Sequence, residues 1–384
     1  NLNINNSSLI KSILHRGPDS KNFYKINKKN KIKNSLFLGF SRLAILDRKK
    51  RSNQPFSFKS LILCFNGEIY NFRKLKSELI KNFKITFETN SDTEVLIKLI
   101  FYYGIDKALN KAEGMWAFAL YDKRNEDLIL CRDKFGEKPL LYYKEKNKLY
   151  FSSELPAFQI FLKDKFKIDK SYLKKYLFLD YRYLNKDFNS FYNKIEKVPQ
   201  GSYIKIDKKF NFKISKYYEF LNQRENKISY KKTIQLTKKK LINLTKDSLI
   251  SDRPLAFCLS GGIDSTGLVS LTKKYHNNKI TCFTIYSDDK KYDEFETVDK
   301  TVKELKIKHK WVKINKDKTF NNLKKIIEHR KYPILTVTSY IQWLMFQSIS
   351  RNKIKVIISG NGSDEIFSGY YDHHLAYISD LYNK

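Results

Sequence analysis

The feature that most constrains this chain is the stretch from Leu255 to Thr266, where a short apolar run stops at two adjacent glycines. The run is too short for a helix and predicts a buried strand, and the residues after Gly262 have the spacing of an amphipathic helix. A strand, a glycine turn and a helix N-terminus form an anion site, because the turn's N–H groups and the helix dipole point at one place. Ser260 and Ser265 add hydroxyl donors, and Asp264 is a candidate ligand for Mg²⁺ beside the anion.

The glycine turn is not a Walker A loop, because its spacing differs and no lysine lies inside it. Residues Ser260 to Ser265 instead resemble the Ser-Gly-Gly-x-Asp-Ser loop of the ATP pyrophosphatases, which split ATP into AMP and pyrophosphate. The alternative is an ordinary strand-to-helix turn without a ligand. With the preceding strand in place, the resemblance implies that the loop binds the phosphate groups of ATP.

Residues 231–384 alternate between strand and helix patterns, and Tyr292-Asp293-Glu294 predicts the start of one of the helices. This alternation favours a doubly wound parallel sheet, whose ligand lies at the carboxyl ends of the strands. The last predicted strand, Lys355 to Ile358, leads into Ser359-Gly360-Asn361-Gly362-Ser363-Asp364-Glu365. This second Ser-Gly turn should therefore reach the same edge as the first. Asp364 is a further candidate for Mg²⁺, the alternative being a surface acid.

Many predicted strands with a few helices between them favour a layered α+β domain over residues 1–205, and the lysine-rich residues 206–230 predict a connector. A strand from Leu36 to Leu46 carries Arg42. Another strand, Leu61 to Phe65, leads into Asn66-Gly67, which is either a tight turn or an oxyanion hole. Ser91-Asp92-Thr93-Glu94 predicts a capped helix start.

In this order, these motifs closely resemble the class II glutamine amidotransferase domain, an N-terminal-nucleophile fold with two sheets between helical layers. The resemblance implies that Arg42 grips the substrate α-carboxylate in a bidentate pair and that Glu68 and Asp92 hold its ammonium group. Asn66 and Gly67 would stabilise the oxyanion. The residues to which the resemblance assigns glutamine binding are Arg42, Leu43, Ala44, Ile45, Leu46, Asn66, Gly67, Glu68 and Asp92.

The same resemblance implies a catalytic cysteine directly after the initiator methionine, with its own α-amine as the base. No cysteine precedes Cys64, which lies in a predicted strand. We therefore expect the sequence to be a fragment whose missing N-terminus carries the nucleophile. The alternative is an inactive glutaminase.

With both halves considered, the chain resembles the glutamine-hydrolysing asparagine synthetases. The resemblance implies that glutamine is hydrolysed to glutamate and that the ammonia reaches a second site. There ATP, with Mg²⁺, adenylates the side chain of aspartate, and ammonia displaces AMP to give asparagine. The positions implied for ATP are Leu259, Ser260, Gly261, Gly262, Asp264, Ser265, Ile285, Ser359 and Gly360, and those implied for Mg-pyrophosphate are Asp264 and Asp364.

Three alternatives stay open: an amidotransferase that acts on a sugar uronate, a tRNA-modifying ATP pyrophosphatase, and a non-enzymatic nucleotide-binding remnant. Asn361 stands where the family commonly carries a glutamate linked to adenylate formation. The segment Gly369-Tyr370-Tyr371-Asp372-His373-His374 resembles divergent relatives, some of them associated with surface polysaccharides. The resemblance also implies a C-terminal helical part that helps to close the acceptor site, and we expect this part to lie beyond Lys384. The sequence thus leaves the acceptor undetermined.

The net charge of +35 suggests nucleic-acid binding, but the lysines are spread over the whole chain, which is typical of a solvated surface. Four scattered cysteines predict a reduced, intracellular protein and hence a cytoplasmic one. No uninterrupted apolar run reaches the roughly 18 residues of a membrane span. We therefore expect small-molecule partners (glutamine, ATP and a carboxylate), no membrane and no nucleic acid. A homodimer is compatible with the resemblance.

Overall fold

The computed structural model describes residues 6–26, 35–179, 184, 187–220, 228–276, 280–287 and 294–382. Contacts between residues divide the chain into two compact units. Unit 1 comprises Asn1–Asn226 and Asn322–Thr336, and unit 2 comprises Lys227–Asn321 and Val337–Lys384. The limits 1–205 and 231–384 that we expect from the sequence remain a prediction.

Unit 1 contains eleven described strands, grouped in sheets of two, six and three strands. The strands are β1 (Ser20–Ile26), β2 (Leu36–Arg42), β3 (Phe56–Phe58), β4 (Leu61–Ile69), β5 (Gly114–Asp122), β6 (Asp127–Arg132), β7 (Leu141–Glu145), β8 (Lys148–Ser152), β9 (Ile195–Lys197), β10 (Ser202–Ile206) and β11 (Phe212–Lys216). The large sheet has the order β11-β10-β6-β5-β4-β3, and β1-β2 and β8-β7-β9 form the smaller ones. Part of the segment 206–230, which its composition predicts to be a connector, is therefore strand β11, paired antiparallel with β10.

Helices cover both outer faces of these sheets. The described helices of unit 1 are α1 (Asn6–Ser12), α2 (Phe72–Phe83), α3 (Asp92–Tyr103), α4 (Ile105–Lys111), α5 (Leu155–Leu162) and α6 (Lys170–Phe178). Helix α3 packs on β3 and β4 of the large sheet, whereas α1 contacts β2 and α5 contacts β8. Between the sheets lies an apolar core that includes Leu38, Ile62, Ala119, Leu130 and Ile204. This confirms the predicted α/β/β/α layering, with the second β layer made of two small sheets.

Unit 2 contains a four-stranded parallel sheet of the order β14-β13-β12-β15. Its strands are β12 (Leu255–Cys258), β13 (Thr281–Tyr286), β14 (Lys308–Lys313) and β15 (Val356–Ile358). The described helices from residue 228 onwards are α7 (Tyr230–Ser248), α8 (Ile263–His276), α9 (Phe295–Leu305), α10 (Thr319–Arg330), α11 (Val337–Arg351), α12 (Ser363–Phe367) and α13 (Tyr371–Tyr382). Most of α10 belongs to unit 1. Of the predicted helix start at Tyr292-Asp293-Glu294, the first two residues lie outside the described ranges.

Both faces of the parallel sheet carry helices. Val269 of α8 and Val298 of α9 pack with Phe257 and Cys282 in one apolar cluster. A second cluster joins Ile349 of α11 to the sheet. The doubly wound architecture predicted from the sequence is thus confirmed. The order in which successive strands are added to the sheet reverses between β12 and β15. Ligands of such sheets bind at this switch point. Among the described residues, no helix combines the length and the apolar character needed to cross a bilayer.

Candidate functional site

Strand β4 carries the Asn-Gly pair of unit 1. Asn66, Gly67 and Glu68 lie inside this strand and pair with Ala117, Trp116 and Met115 of β5. The interpretation of Asn66-Gly67 as a tight turn is therefore wrong, because the strand continues to Ile69. A Cβ on Gly67 would lie 2.2 Å from the carbonyl oxygen of Met115, so a side chain has no room there.

The side chains on either side of Gly67 leave buried polar atoms without partners. Neither Asn66 Nδ2 nor Glu68 Oε1 has a hydrogen-bond partner among the described residues. Both residues line a cavity of about 1040 Å³ within unit 1. An unpaired buried donor or acceptor normally costs about 1–3 kcal/mol. A donor and an acceptor left unpaired in one cavity indicate a polar ligand that satisfies both.

Two carboxyl groups at this cavity have raised pKa values. Burial raises the pKa of Glu68 to about 7, and the negative charge of Asp92 adds to the shift. Burial also raises the pKa of Asp92 to about 6, although its Oδ2 accepts a hydrogen bond of 3.0 Å from the Ile69 N–H. Ser91 caps α3 by accepting from Thr93 N, which fixes Asp92 in the first turn. Two acids that line one cavity, Asp92 buried and Glu68 half-buried, favour a cationic group such as an ammonium.

Arg42 holds the loop that follows β2. Its Nη2 donates to the carbonyl oxygens of Leu46 (2.9 Å) and Asp47 (2.8 Å), and its Nη1 donates to Lys49 O (3.3 Å) and Asn53 Oδ1 (3.1 Å). Burial lowers its pKa, and neighbouring aspartates oppose that shift. The predicted strand to Leu46 ends at Arg42, because the chain turns around the guanidinium. Since both Nη groups are occupied, this geometry differs from the bidentate carboxylate grip that the resemblance implies.

The predicted glutamine-binding residues around this loop lie mostly at the cavity. Leu43, Ile45 and Leu46 line it, as does Arg42. Ala44 is buried, and its N–H donates to Asp19 Oδ2 at 2.9 Å. The structure therefore brings the loop, the β4 residues and Asp92 to one cavity, with Ala44 behind the wall.

None of the four cysteines is an activated thiol. All are free, and Cys64 lines the cavity from β4. Burial raises the pKa of Cys64 and of Cys282 to about 12 and that of Cys258 to about 11. Burial also raises the pKa of Cys131 well above its usual value. Because the thiolate is the reactive form, the raised pKa values disfavour each of these thiols as a nucleophile.

The glycine turn of unit 2 is closed by its own serines. Strand β12 ends at Cys258 and α8 begins at Ile263. The Ser260 N–H donates to Ser265 Oγ at 3.0 Å, and that oxygen lies 2.9 Å from the Ser260 carbonyl oxygen. The two hydroxyl oxygens are 2.9 Å apart. Ser265 is buried, so its hydroxyl shapes the loop.

A carboxylate already lies on the loop. The Gly261 N–H donates to Glu294 Oε2 at 2.8 Å. Glu294 directly precedes α9 and reaches the loop from the adjacent crossover. No sequence motif assigns Glu294 a role at this site, and only its acidic character at a predicted helix start could have signalled one. The contact shows that this loop N–H can donate a hydrogen bond to an anionic oxygen.

The two Ser-Gly turns meet at the switch point of the sheet. Phe257 of β12 pairs with Ile358 of β15. A Cβ on Gly360 would lie 3.1 Å from both Asp264 Cβ and Ser265 N, so only a glycine packs there without displacing α8. Ser359 directly precedes Gly360. Both turns lie at the carboxyl ends of the parallel strands, which is the edge of the sheet that the strand pattern predicts.

The remaining predicted residues surround these turns. Leu259 is buried, its N–H donates to Phe283 O at 3.0 Å, and its carbonyl oxygen accepts from the Thr284 hydroxyl at 2.5 Å. Ile285 is a half-buried residue of β13. Asp364 lies in the first turn of α12, as Asp264 does in α8.

Known proteins resemble both units. Residues 4–218 match the family model described as a glutamine amidotransferase domain, and residues 237–384 match the model described as asparagine synthase. A protein of Bacillus subtilis named asparagine synthetase [glutamine-hydrolyzing] 1 is 30% identical over 361 residues, which are 93% of this chain and 54% of that protein. The chain thus spans about half the length of that relative.

Two further relatives extend this comparison. A putative asparagine synthetase [glutamine-hydrolyzing] 2 of Methanocaldococcus jannaschii is 30% identical over 400 residues, 97% of this chain and 74% of that protein. A protein of Gibberella zeae named amidase chry2 is 26% identical over 382 residues, 93% of this chain and 54% of that protein. The likeness therefore covers nearly all of the chain.

Proposed function

Because the chain belongs to the glutamine-hydrolysing asparagine synthetase family, we propose that it takes part in ATP-dependent amide synthesis with glutamine as the nitrogen donor. The full reaction converts ATP, aspartate, glutamine and water into AMP, diphosphate, asparagine and glutamate. Unit 1 binds and hydrolyses glutamine, and unit 2 activates the acceptor carboxylate.

The observation that carries the proposal is the pair of unpartnered buried atoms on β4, Asn66 Nδ2 and Glu68 Oε1. A bound amino acid with an amide side chain supplies both missing partners. Its ammonium group lies between the Glu68 and Asp92 carboxyl groups, whose pKa values are raised by burial and, for Glu68, also by the charge of Asp92. The Asn66 amide and the Gly67 N–H then stabilise the oxyanion that forms at the side-chain carbonyl.

The loop organised by Arg42 provides the other end of the glutamine site. Arg42 fixes residues 43–49 through the carbonyl oxygens that it binds. We assign to it the orientation of this loop, and to its positive charge the attraction of the substrate α-carboxylate. Leu43, Ile45 and Leu46 give the aliphatic part of the substrate an apolar wall.

The nucleophile of glutamine hydrolysis is the one part of unit 1 that we do not assign to a residue of this sequence. The family resemblance implies a cysteine directly after an initiator methionine, and the four cysteines present are buried or half-buried thiols of raised pKa. Reading the gene upstream of Asn1 tests this: a Met-Cys start supports a working glutaminase, whereas a natural start without a cysteine contradicts it.

In unit 2 we propose that the glycine turn binds the pyrophosphate part of ATP. The Gly261 N–H already donates to an anionic oxygen, that of Glu294, which a phosphate oxygen replaces when ATP binds. Asp264 and Asp364 are in the first turns of helices that begin at the two joined turns, and they would hold Mg²⁺. Bound Mg²⁺ would neutralise the negative charge that develops on the leaving pyrophosphate.

Adenylation precedes amide formation because a carboxylate is a poor electrophile. The acceptor oxygen attacks the α-phosphorus of ATP, pyrophosphate leaves, and ammonia then displaces AMP from the acyl carbon. Ile285, near the end of β13, is half-buried and provides apolar surface for the nucleoside, whereas Leu259 lies buried beside that strand, bonded to Phe283 O. Ser359 and Gly360 bring the second turn against Asp264.

Aspartate is the acceptor that we propose first. The second candidate, a sugar uronate, is favoured by one observation: Asn361, in the turn after β15, is not an acid. A relative named as an amidase also matches over most of the chain. Product analysis separates the two, since asparagine formed from aspartate supports the first candidate and an amidated sugar acid the second.

The test of the proposal supplies ammonia directly, so that it does not depend on the cysteine. The full-length gene product is incubated with ATP, Mg²⁺, ammonium and aspartate, and pyrophosphate, AMP and asparagine are measured. Equal amounts of all three support the proposal. Nucleotide binding without pyrophosphate release would indicate the non-enzymatic remnant, and pyrophosphate release that requires tRNA would indicate the tRNA-modifying alternative.

A further inference from the structure

Two histidines and a glutamate form a cluster in unit 1 that the proposed reaction does not use. One ligand atom each from His15, Glu154 and His329 lie within 4.8 Å of one another. We propose that this cluster binds a divalent transition-metal ion of the zinc class. The inference does not depend on the proposed function.

The three side chains come from separate parts of the chain. His15 lies in the 3-10 turn Leu14–Arg16, Glu154 directly precedes α5, and His329 is in the last turn of α10. Since they are brought together only by folding, a metal ion here cross-links the N-terminal segment, the β8–α5 junction and the 322–336 segment of the unit.

The geometry is close to that of a metal site. His15 Nε2 is 2.8 Å from Glu154 Oε2, and the rings of His15 and His329 meet edge to face with centroids 4.4 Å apart. Ligand atoms around tetrahedral zinc lie roughly 3.3 Å apart, since each bond is about 2.0–2.1 Å long. Side-chain adjustments of about an ångström therefore suffice to bring all three atoms into range.

The carboxylate is oriented for this role. Arg16 Nη1 donates to Glu154 Oε1 at 2.5 Å, which leaves Oε2 directed at His15. Carboxylate ligands of metals are commonly fixed by such an outer hydrogen bond. The nearby positive charge of Arg16 opposes a cation, so we expect the affinity to lie below that of a structural zinc site built from cysteines.

The cluster is open to solvent. Both histidines are exposed, which gives an ion a path from solvent.

His329 belongs to a segment that is anchored independently of the cluster. The Tyr192 hydroxyl donates to Lys331 O at 2.7 Å, and the Tyr176 hydroxyl donates to Ile334 O at 2.8 Å. Two bonds within five residues of His329 therefore hold this side chain near His15, so that little ordering is required when an ion binds.

The donor set selects the class of ion. Two imidazole nitrogens and one carboxylate oxygen suit Zn²⁺, Co²⁺ or Ni²⁺, whereas Mg²⁺ prefers oxygen ligands and keeps several waters. Titration with Zn²⁺ in the presence of excess Mg²⁺ therefore reports on this site and not on the ATP site.

The experiment titrates Zn²⁺ into the chelator-treated full chain by calorimetry and repeats the titration with Co²⁺ by visible absorption. We expect one ion per chain, a tetrahedral Co²⁺ spectrum and a higher melting temperature in Zn²⁺. His329→Ala should weaken binding at least tenfold. The matched control is His276→Ala, which removes a histidine outside the cluster and should bind as the unchanged chain does.

Two results would overturn the proposal. One is the absence of stoichiometric Zn²⁺ binding by the unchanged chain. The other is equal binding by His329→Ala, which would place the ion elsewhere, for example on His373 and His374. Glu154→Gln provides a second variant, because it keeps the side-chain volume and removes the charge. Circular dichroism without metal shows that each variant is folded, so that loss of binding is not loss of structure.

Discussion

The cavity in unit 1 and the glycine turn in unit 2 are built on opposite principles. In the cavity, Asn66 and Glu68 carry buried polar atoms that have no partner among the described residues. In the turn, Ser265 and Glu294 already occupy the backbone groups, including the Gly261 N–H. The cavity thus has polar atoms without hydrogen-bond partners, whereas the polar groups of the turn have provisional partners, that is, protein groups that a ligand would replace.

This difference indicates how each site gains affinity. A ligand of the cavity satisfies atoms that are otherwise unpaired, so each correct contact removes an existing penalty. A ligand of the turn exchanges one set of hydrogen bonds for another, so its net gain is smaller. Substitutions in the cavity should therefore only weaken binding, whereas substitutions around the turn can change it in either direction.

The largest effect is expected for Asp264→Ala in the turn. Asp264 lies in the first turn of α8 against Gly360, where we propose that it holds Mg²⁺. Its loss should lower the rate of ATP-dependent pyrophosphate release by about 10²–10³-fold, as removal of one group that stabilises developing charge does. A coupled pyrophosphate assay with ammonium measures it. Asp380→Ala, an exposed acid of α13, is the control, and equal rates for both variants would remove Asp264 from the mechanism.

In the cavity, Glu68→Gln should weaken glutamine binding by about 10–100-fold. The change keeps the shape but removes the charge that faces the ammonium group, and a hydrogen bond to a charged group contributes about 1.5–3 kcal/mol. Equilibrium titration with glutamine measures the effect. Glu113→Gln alters an exposed acid next to β5 and should leave affinity unchanged. Tighter binding by Glu68→Gln would break the comparison between the two sites.

The raised pKa values in the cavity predict opposite pH dependences for stability and for binding. Glu68 titrates near pH 7 when folded and near its ordinary value when unfolded, so between those values the folded protein binds more protons. The stability of the unliganded protein should thus fall as the pH rises from about 5 to about 7.5. Glutamine binding should strengthen over the same range, because the ionised carboxylates attract the ammonium group.

Melting curves and titrations across this range test the prediction. In Glu68→Gln both slopes should become smaller, with a residual slope from Asp92, whose pKa is raised to about 6. A binding constant that does not depend on pH would show that neither acid faces the ligand.

Local patterns were sufficient to predict much of the fold. The apolar run and glycine pair at 255–262 predict β12 and α8 because strand, turn and helix start are encoded by adjacent residues. The start of α3 follows in the same way from Ser91, whose side chain caps the helix. The alternation of strands and helices predicts the parallel sheet, because each crossover is continuous in sequence.

Contacts between distant residues were not predictable in this way. The apolar residues after Arg42 look like a continued strand, but the guanidinium binds Leu46 O and Asp47 O and turns the chain. Asn66-Gly67 looks like a turn, although Gly67 is required because Met115 O lies where a Cβ would be. No local sequence pattern reveals these close contacts, because they depend on which distant segments of the chain become neighbours in the fold.

Glu294 gives the smallest expected effect and the sharpest test of the comparison. We propose that its carboxylate competes with ATP for the Gly261 N–H, to which it is bound in this structure. Glu294→Gln should therefore tighten ATP binding by roughly threefold to tenfold, because a neutral amide is a weaker competitor. Fluorescence titration with a labelled ATP analogue measures this change. Glu304→Gln, an exposed acid farther along α9, is the matched control.

Weaker ATP binding by Glu294→Gln would contradict the competition. It would mean that Glu294 stays at the turn when the nucleotide binds, as a supporting ligand of Mg²⁺ for example, and the turn would then resemble the cavity in using all of its acids for the ligand. We expect tighter ATP binding by Glu294→Gln and weaker glutamine binding by Glu68→Gln. Together these results would distinguish the turn, whose N–H already has a hydrogen-bond partner, from the cavity, where Asn66 Nδ2 and Glu68 Oε1 have none among the described residues.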